Sequence, residues 1–172
     1  MSQLTPYHAL EQALLEALHD EYKACATYRR VIQRFGPIRP FVNIIESEQR
    51  HIQALLVLFK KYQIAIPDDD WDQRVTVPES VQDACQQGVQ AEIENADMYH
   101  RLLSATQNYQ DVQQVFLNLQ RASQHNHLPA FQRCASQGTT AVSSGRGRMH
   151  GRQHRGQHHH LRGRGMGRGR CL

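Results

Sequence analysis

Apolar side chains recur every three or four residues through four segments of this chain, and in each a polar side chain interrupts the apolar face near its middle. The first segment runs Leu10, Leu14, Ala17, Glu21, Ala24, Tyr28, Val31, Phe35; the second runs Phe41, Ile44, Glu48, Ile52, Leu55, Phe59, Tyr62. In the third, Val81, Cys85, Gly88, Glu92, Ala96, Tyr99 and Leu102 keep the spacing; in the fourth, Val112, Phe116, Leu119, Ser123, His127, Ala130 and Cys134 do. Steps of three and four lay side chains along one stripe of an α-helix, so the pattern predicts an all-α fold of four helices. Glu21, Glu48, Glu92 and His127 then fall on buried faces. His51 follows Glu48 by three residues and shares its face. A lone carboxylate in an apolar core is costly unless it is paired or bound to metal. Several converging ones ask for a cation.

Local signals set the boundaries. Thr5-Pro6 reads as an N-cap followed by proline at the first helical position, and Gly36-Pro37 stops the first helix after Phe35. Pro40 can open a second helix reaching about Gln63. A third spans Glu79 to Thr106, and after a short turn at Gln107–Gln110 a fourth runs from Asp111 to near Ser136. Pro129 removes a backbone donor inside this last helix and predicts a kink around His125 to Pro129. The segment Ile64 to Pro78 carries Asp68-Asp69-Asp70, a solvated loop. Fully extended it could reach roughly 50 Å, more than the ~36 Å of a 24-residue helix. It can therefore cross the whole bundle. The helix midpoints fall near Glu21, Glu48/His51, Glu92 and Gln124/His127, so the polar groups meet at one level.

Charge divides the chain. The 172 residues carry a net charge of +4, yet every residue from Gly138 onward is neutral or basic, leaving residues 1–137 with more acids than bases. The expected organisation is a helical domain at 1–137 and a disordered tail at 138–172, rich in Gly, Arg, His and Ser with little to bury. The four cysteines, Cys25, Cys85, Cys134 and Cys171, are scattered with no C-x-x-C pair. They suggest neither a disulfide framework nor a zinc finger; Cys25 and Cys134 read as small buried apolar residues. No apolar run approaches the ~20 residues of a membrane span, and the N-terminus lacks a signal-peptide layout. The expectation is a cytoplasmic protein without membrane contact.

Four short sequences resemble those of the ferritin-like superfamily, in particular a little-characterised bacterial and archaeal branch of its di-iron carboxylate proteins. They are Asp20-Glu21-Tyr22-Lys23-Ala24, Asn43-Ile44-Ile45-Glu46-Ser47-Glu48-Gln49-Arg50-His51, Glu92-Ile93-Glu94-Asn95-Ala96-Asp97 and Asn126-His127-Leu128. The resemblance covers about residues 7–136. It implies a ferritin-like four-helix bundle with a long crossover between its second and third helices. Such proteins hold two metals with a Glu from each of two helices and a Glu-x-x-His from each of the others. Carried over by position, Glu21 and Glu92 are terminal carboxylates, Glu48 bridges, and His51 and His127 supply imidazoles. Tyr28, Tyr99 and Gln124 are candidates for the surrounding shell.

The chain departs from that pattern at Gln124-His125-Asn126-His127, where the second Glu-x-x-His should stand. Glu94 and Asp97 cannot substitute, lying roughly 200° and 140° around the helix from Glu92. With three carboxylates, two divalent ions leave a charge of +1 and one leaves −1. The implied cofactor is one or two iron ions or similar divalent metals, and the implied activity is oxidation of iron(II) or reduction of oxygen or peroxide. A metal-binding or storage module without turnover is the alternative, and a structural bundle whose Arg-Gly tail binds nucleic acid is a third reading. Homodimerisation through an exposed helix face is compatible with all three. In the tail, His150, His154, His158, His159 and His160 could chelate soft or borderline metals. Arg-Gly repeats such as Arg162-Gly163-Arg164-Gly165 could hold nucleic acid or another polyanion through phosphates, although no aromatic residue follows Phe131 to stack on bases. A solubilising extension is the plainer role.

Overall fold

Gly36 ends the first helix where the pattern places its stop. In a computed structural model, which describes residues 6–140 and the side chains to 137, helix α1 spans Pro6–Phe35. Gly36 takes φ 86° and its N–H bonds to the Ile32 carbonyl at 2.9 Å, a left-handed cap that only glycine adopts without strain. Thr5 and residues 141–172, with the tail histidines and Arg-Gly repeats, lie outside the described residues.

Helix α2 spans Phe41–Lys61, with Pro40 as its N-cap rather than its first residue. Its end has no glycine to announce it. Gln63 adopts φ 55°, and the N–H groups of Gln63 and Ile64 bond back to the carbonyls of Lys60 (3.3 Å) and Phe59 (3.0 Å). Ile64 is buried against the core, which completes a Schellman cap.

The 62–80 connection is not the uniform loop expected. It contains a short helix, α3 (Trp71–Arg74), held against α1. Trp71 Nε1 donates to His19 Nδ1 at 3.4 Å, Asp72 pairs with Arg29, and an Arg34 guanidinium N–H donates to the Val77 carbonyl at 3.4 Å. Helix α4 starts at Val81, two residues later than expected, because Ser80 caps it: its Oγ accepts from the Asp83 N–H at 3.1 Å.

The fourth segment is one rod of three parts: helix α5 (Gln110–Ala122), a π-helical turn (Ser123–His127) and helix α6 (Leu128–Thr140). It runs four residues beyond Ser136. Pro129 has no N–H to give the His125 carbonyl, so regular α-hydrogen bonding cannot continue there. The irregularity expected at 125–129 takes the form of a widened turn just upstream of the proline.

Helices α1 and α4 run antiparallel, since Glu16, Glu21 and Tyr28 meet Arg101, Tyr99 and Glu92 in reverse order. The core forms two apolar clusters. One gathers Leu10, Leu14, Leu18, Leu55, Phe59, Tyr99, Leu102, Val112 and Phe116; the other gathers Tyr28, Val31, Phe41, Ile44, Ala84, Cys85 and Phe131. Along the chain, Glu21, Glu48, His51, Glu92, Ser123 and His127 fall between the members of these clusters, all of them buried.

One expectation is overturned outright. Cys85 and Cys134, read as unpaired, form a disulfide with a Cα–Cα distance of 5.8 Å. They are 49 residues apart on different helices, so only the packing of α4 on α6 brings them together, and local spacing carries no trace of it. Cys25 is free and buried, in keeping with its reading as a small buried apolar residue. Among the described residues no helix is long and apolar enough to cross a membrane.

Candidate metal centre

Glu48 sits at the centre of the polar layer. Its Oε2 lies 2.8 Å from His51 Nδ1 and its Oε1 lies 3.2 Å from His127 Nδ1. Outside this trio stand two more acids: Glu21 Oε2 is 3.2 Å from His51 Nδ1, and Glu92 Oε1 is 3.5 Å from His127 Nδ1. The two imidazole rings stack at 5.6 Å. All five residues singled out by the sequence pattern are therefore brought together, each at least nine-tenths buried. One ligating atom apiece from Glu48, His51 and His127 falls within 4.8 Å of the others, close enough to share an ion.

Two buried tyrosines hold the outer carboxylates. Tyr99 OH donates to Glu21 Oε1 at 2.8 Å, and Tyr28 OH donates to Glu92 Oε1 at 3.4 Å. Burial pushes both phenols above their ordinary range, and the nearby carboxylates add to it. Both remain neutral donors at physiological pH.

Gln124 does not take the position expected of it. It is half-buried, while Ser123 is buried and donates a short hydrogen bond to Glu92 Oε2. A π-turn needs about four residues rather than three to return to the same face, so Ser123, four before His127, shares that face. The serine stands in the apolar stripe of the fourth segment, but only the widened turn shows that it, and not Gln124, reaches the site. Ser47 was also missed; its Oγ lies 3.3 Å from His51 Nε2, on the ring edge away from the carboxylates. A Ser one turn before a His is too common to signal anything by itself. Asp20 accepts from Asn95 Nδ2 at 2.7 Å and ties α1 to α4 beside the cluster; burial raises its carboxyl to about 6. Glu94 and Asp97 are exposed, as their helical angles require, and so is His125.

The electrostatics divide the acids. Burial pushes the Glu21 carboxyl up, the charge on Glu48 adds to it, and it reaches about 8. Burial also penalises ionised Glu48, but hydrogen bonds from His127 and His51 outweigh it and hold the group down to about 2. Both imidazoles go the other way: desolvation pulls them down, and their carboxylate contacts prevail. His51 rises to about 9 through Glu21 and Glu48, and His127 to about 10 through Glu48 and Glu92. A central carboxylate between two imidazolium groups is a set of donors that protons hold together and that a metal could hold instead.

A cavity of about 340 Å³ reaches this cluster between α1 and α4. Glu21, Glu48, His51, Glu92, Ser123 and His127 form part of its wall, together with Trp71, Arg74, Val75 and Thr76 from the 62–80 connection.

Comparison of the chain with protein-family models, curated proteins and solved structures found no match.

Proposed function

We propose that this is a ferritin-like metalloprotein that holds one or two metal ions, iron foremost, among Glu21, Glu48, His51, Glu92 and His127. In this reading it oxidises iron(II) or reduces oxygen or peroxide. The observation that carries it is Glu48, whose two oxygens face two different imidazoles with a further acid beyond each. The donor chemistry fits: carboxylate oxygen and imidazole nitrogen suit iron and its divalent neighbours.

The packing supports the bundle topology as well. Helix α2 ends in the cluster that holds Leu10 and Leu18, while α4 begins in the one that holds Tyr28 and Phe41. In this reading the 62–80 connection runs the length of the bundle and α2 lies parallel to α4, as a ferritin-like crossover requires. A cytoplasmic location suits such an enzyme, although the Cys85–Cys134 disulfide weighs toward an oxidising compartment.

Each residue has a part. Glu48, Glu21 and Glu92 would hold the ion or ions with their carboxylates, and His51 and His127 would give up their Nδ1 protons to do the same with their imidazoles. The Tyr99 and Tyr28 hydroxyls fix the outer carboxylates, and Ser47 orients the His51 ring. A bound ion would supply electron transfer and Lewis acidity, and the cavity would admit a small oxidant.

The second reading is a buried ion-pair network that needs no metal. It is favoured by one observation: the two imidazoles already satisfy the three carboxylates. Aerobic addition of iron(II), followed by near-ultraviolet absorbance and iron analysis, separates the readings. Stoichiometric absorbance that disappears in Glu48→Ala supports the oxidoreductase; colourless binding lost in the same variant supports a storage or binding module. Uptake equal in wild type and Glu48→Ala leaves only the ion-pair network.

A further inference from the structure

The cluster is one acid short, and the shortage faces the cavity. On the α2 side a carboxylate, Glu48, stands one turn before its histidine. On the opposite side the residue that shares the face of His127 is Ser123, whose side chain ends at a hydroxyl. Ser123, Glu92 and His127 all border the cavity, so the space that a longer acidic side chain would fill is continuous with it. Charge points the same way: three carboxylates against two divalent ions leave one positive charge uncompensated. A bridging hydroxide could answer the charge. It would leave the space unexplained, because 340 Å³ is far more than the ~30 Å³ share of one water and falls within the ~300–1,000 Å³ of small-molecule sites.

We propose that the cavity binds a small organic carboxylate whose head group stands beside Ser123 in the place of the missing fourth acid, its apolar part lying along Ala24, Ala84, Gly88 and Leu119. This rests on the metal reading of the cluster and names the class of ligand that completes it. The attraction would come from the bound ions: the cations that line the cavity, Lys23 and Arg74, share it with the acids Asp20 and Glu94, and Arg74 is already paired with Asp70 at 3.1 Å.

Cobalt(II) titration of the full chain, read by visible absorbance and isothermal calorimetry, tests it with benzoate as the probe and benzamide as the neutral control. Subtracting the Glu48→Ala titration removes ions held by tail imidazoles. Benzoate is expected to tighten binding of a second cobalt at least tenfold and benzamide to leave it unchanged. Ser123→Asp carries the missing acid on the chain, so it should bind the second ion tightly without benzoate. Gln124→Glu, the change that a regular helix would call for, should behave as wild type. No benzoate effect on a wild type that binds cobalt overturns the proposal and leaves the metal reading standing. So does Gln124→Glu taking up the second ion without benzoate while a folded Ser123→Asp does not. If wild type and Glu48→Ala titrate alike, the metal reading itself fails and the carboxylate site falls with it, a result distinct from the other two.

Discussion

The two halves of the polar layer are built alike and finished differently. Helix α1 carries Glu21 and Tyr28, α4 carries Glu92 and Tyr99, and each tyrosine bonds to the glutamate of the other helix. The spacing within each pair is seven residues, about two helical turns, so an antiparallel crossing of α1 and α4 produces both bonds at once. The remaining helices break the likeness. Helix α2 is regular through its site and presents Glu48 and His51 one turn apart. The α5–α6 rod opens into a π-turn and presents Ser123 with His127, and the disulfide fastens α6 to α4. The lesson is that the repeat of the backbone and the repeat of its acidic side chains are separable. The fold keeps its near-symmetry while one side carries a serine where the other carries a glutamate, and that serine borders the cavity.

Removing the residue that the two halves share should have the largest effect. In metal-free protein, Glu48→Ala leaves His51 and His127 with only the outer acids as partners, and breaking a buried pair in this way costs about 3–5 kcal/mol. Urea unfolding of wild type and variant in the presence of a chelator measures it; a loss below about 1 kcal/mol would show that the cluster contributes little to the metal-free fold.

Titration should separate the central acid from its neighbours. His51 and His127 are raised from 6.5 to about 9 and about 10, so their stabilisation is complete below pH 6.5 and is lost as pH rises through those values. Glu48 is lowered from 4.5 to about 2, so its contribution is present above pH 4.5 and is lost as pH falls toward 2. Glu21, raised to about 8, opposes folding once its unfolded counterpart ionises above pH 4.5. Metal-free protein should therefore melt at its highest temperature near pH 4.5, lose stability gradually above that as Glu21 and Asp20 oppose folding, and lose it more steeply from pH 6.5 toward pH 10 as the imidazolium stabilisation goes. Metal-loaded protein should not show the alkaline decline, because the ion replaces the imidazolium protons. Melting curves across this range, with and without cobalt(II), give both profiles.

A smaller effect is expected where α4 and α6 touch. A Cβ on Gly88 would lie 2.6–2.7 Å from ring carbons of Phe131, which packs against Tyr28 and Phe41 at 5.4 Å. Gly88→Ala must displace that ring, at a cost of about 1–3 kcal/mol. The displaced ring presses on Tyr28 and not on Tyr99, so the α4–α6 side of the site should feel it first. Thermal unfolding gives the cost, and tyrosine-specific spectroscopy shows which phenol moves.

Much of this was legible in the chain because its apolar period is regular. The stripes around Glu21, Glu48 and Glu92 identify buried acids without reference to any contact, and Gly36 marks a stop that only a left-handed residue can make. What the sequence hid are features set by neighbours or by backbone adjustment. Gln63 closes α2 in a conformation usually left to glycine. The disulfide depends on two helices meeting 49 residues apart. The exchange of Gln124 for Ser123 follows from one extra residue in a turn, which rotates everything before it while leaving the pattern of apolar residues readable.

The finest comparison is between the two tyrosines. Tyr99 donates to Glu21 at 2.8 Å and, among the described residues, is the only side-chain hydroxyl seen on that carboxylate, whereas Tyr28 reaches Glu92 at 3.4 Å and shares it with Ser123. A hydrogen bond of ordinary length to a buried acid contributes about 1–2 kcal/mol, and one at the limit of the distance range contributes less. Tyr99→Phe should thus destabilise metal-free protein by about 1 kcal/mol more than Tyr28→Phe, with the packing of both rings preserved. Equal losses would mean that Ser123 does not relieve Glu92 of its need for the phenol. A larger loss for Tyr28→Phe would reverse the assignment of the stronger bond to the α1 glutamate, and would show that Tyr28 carries more of the hold on Glu92 than Ser123 does.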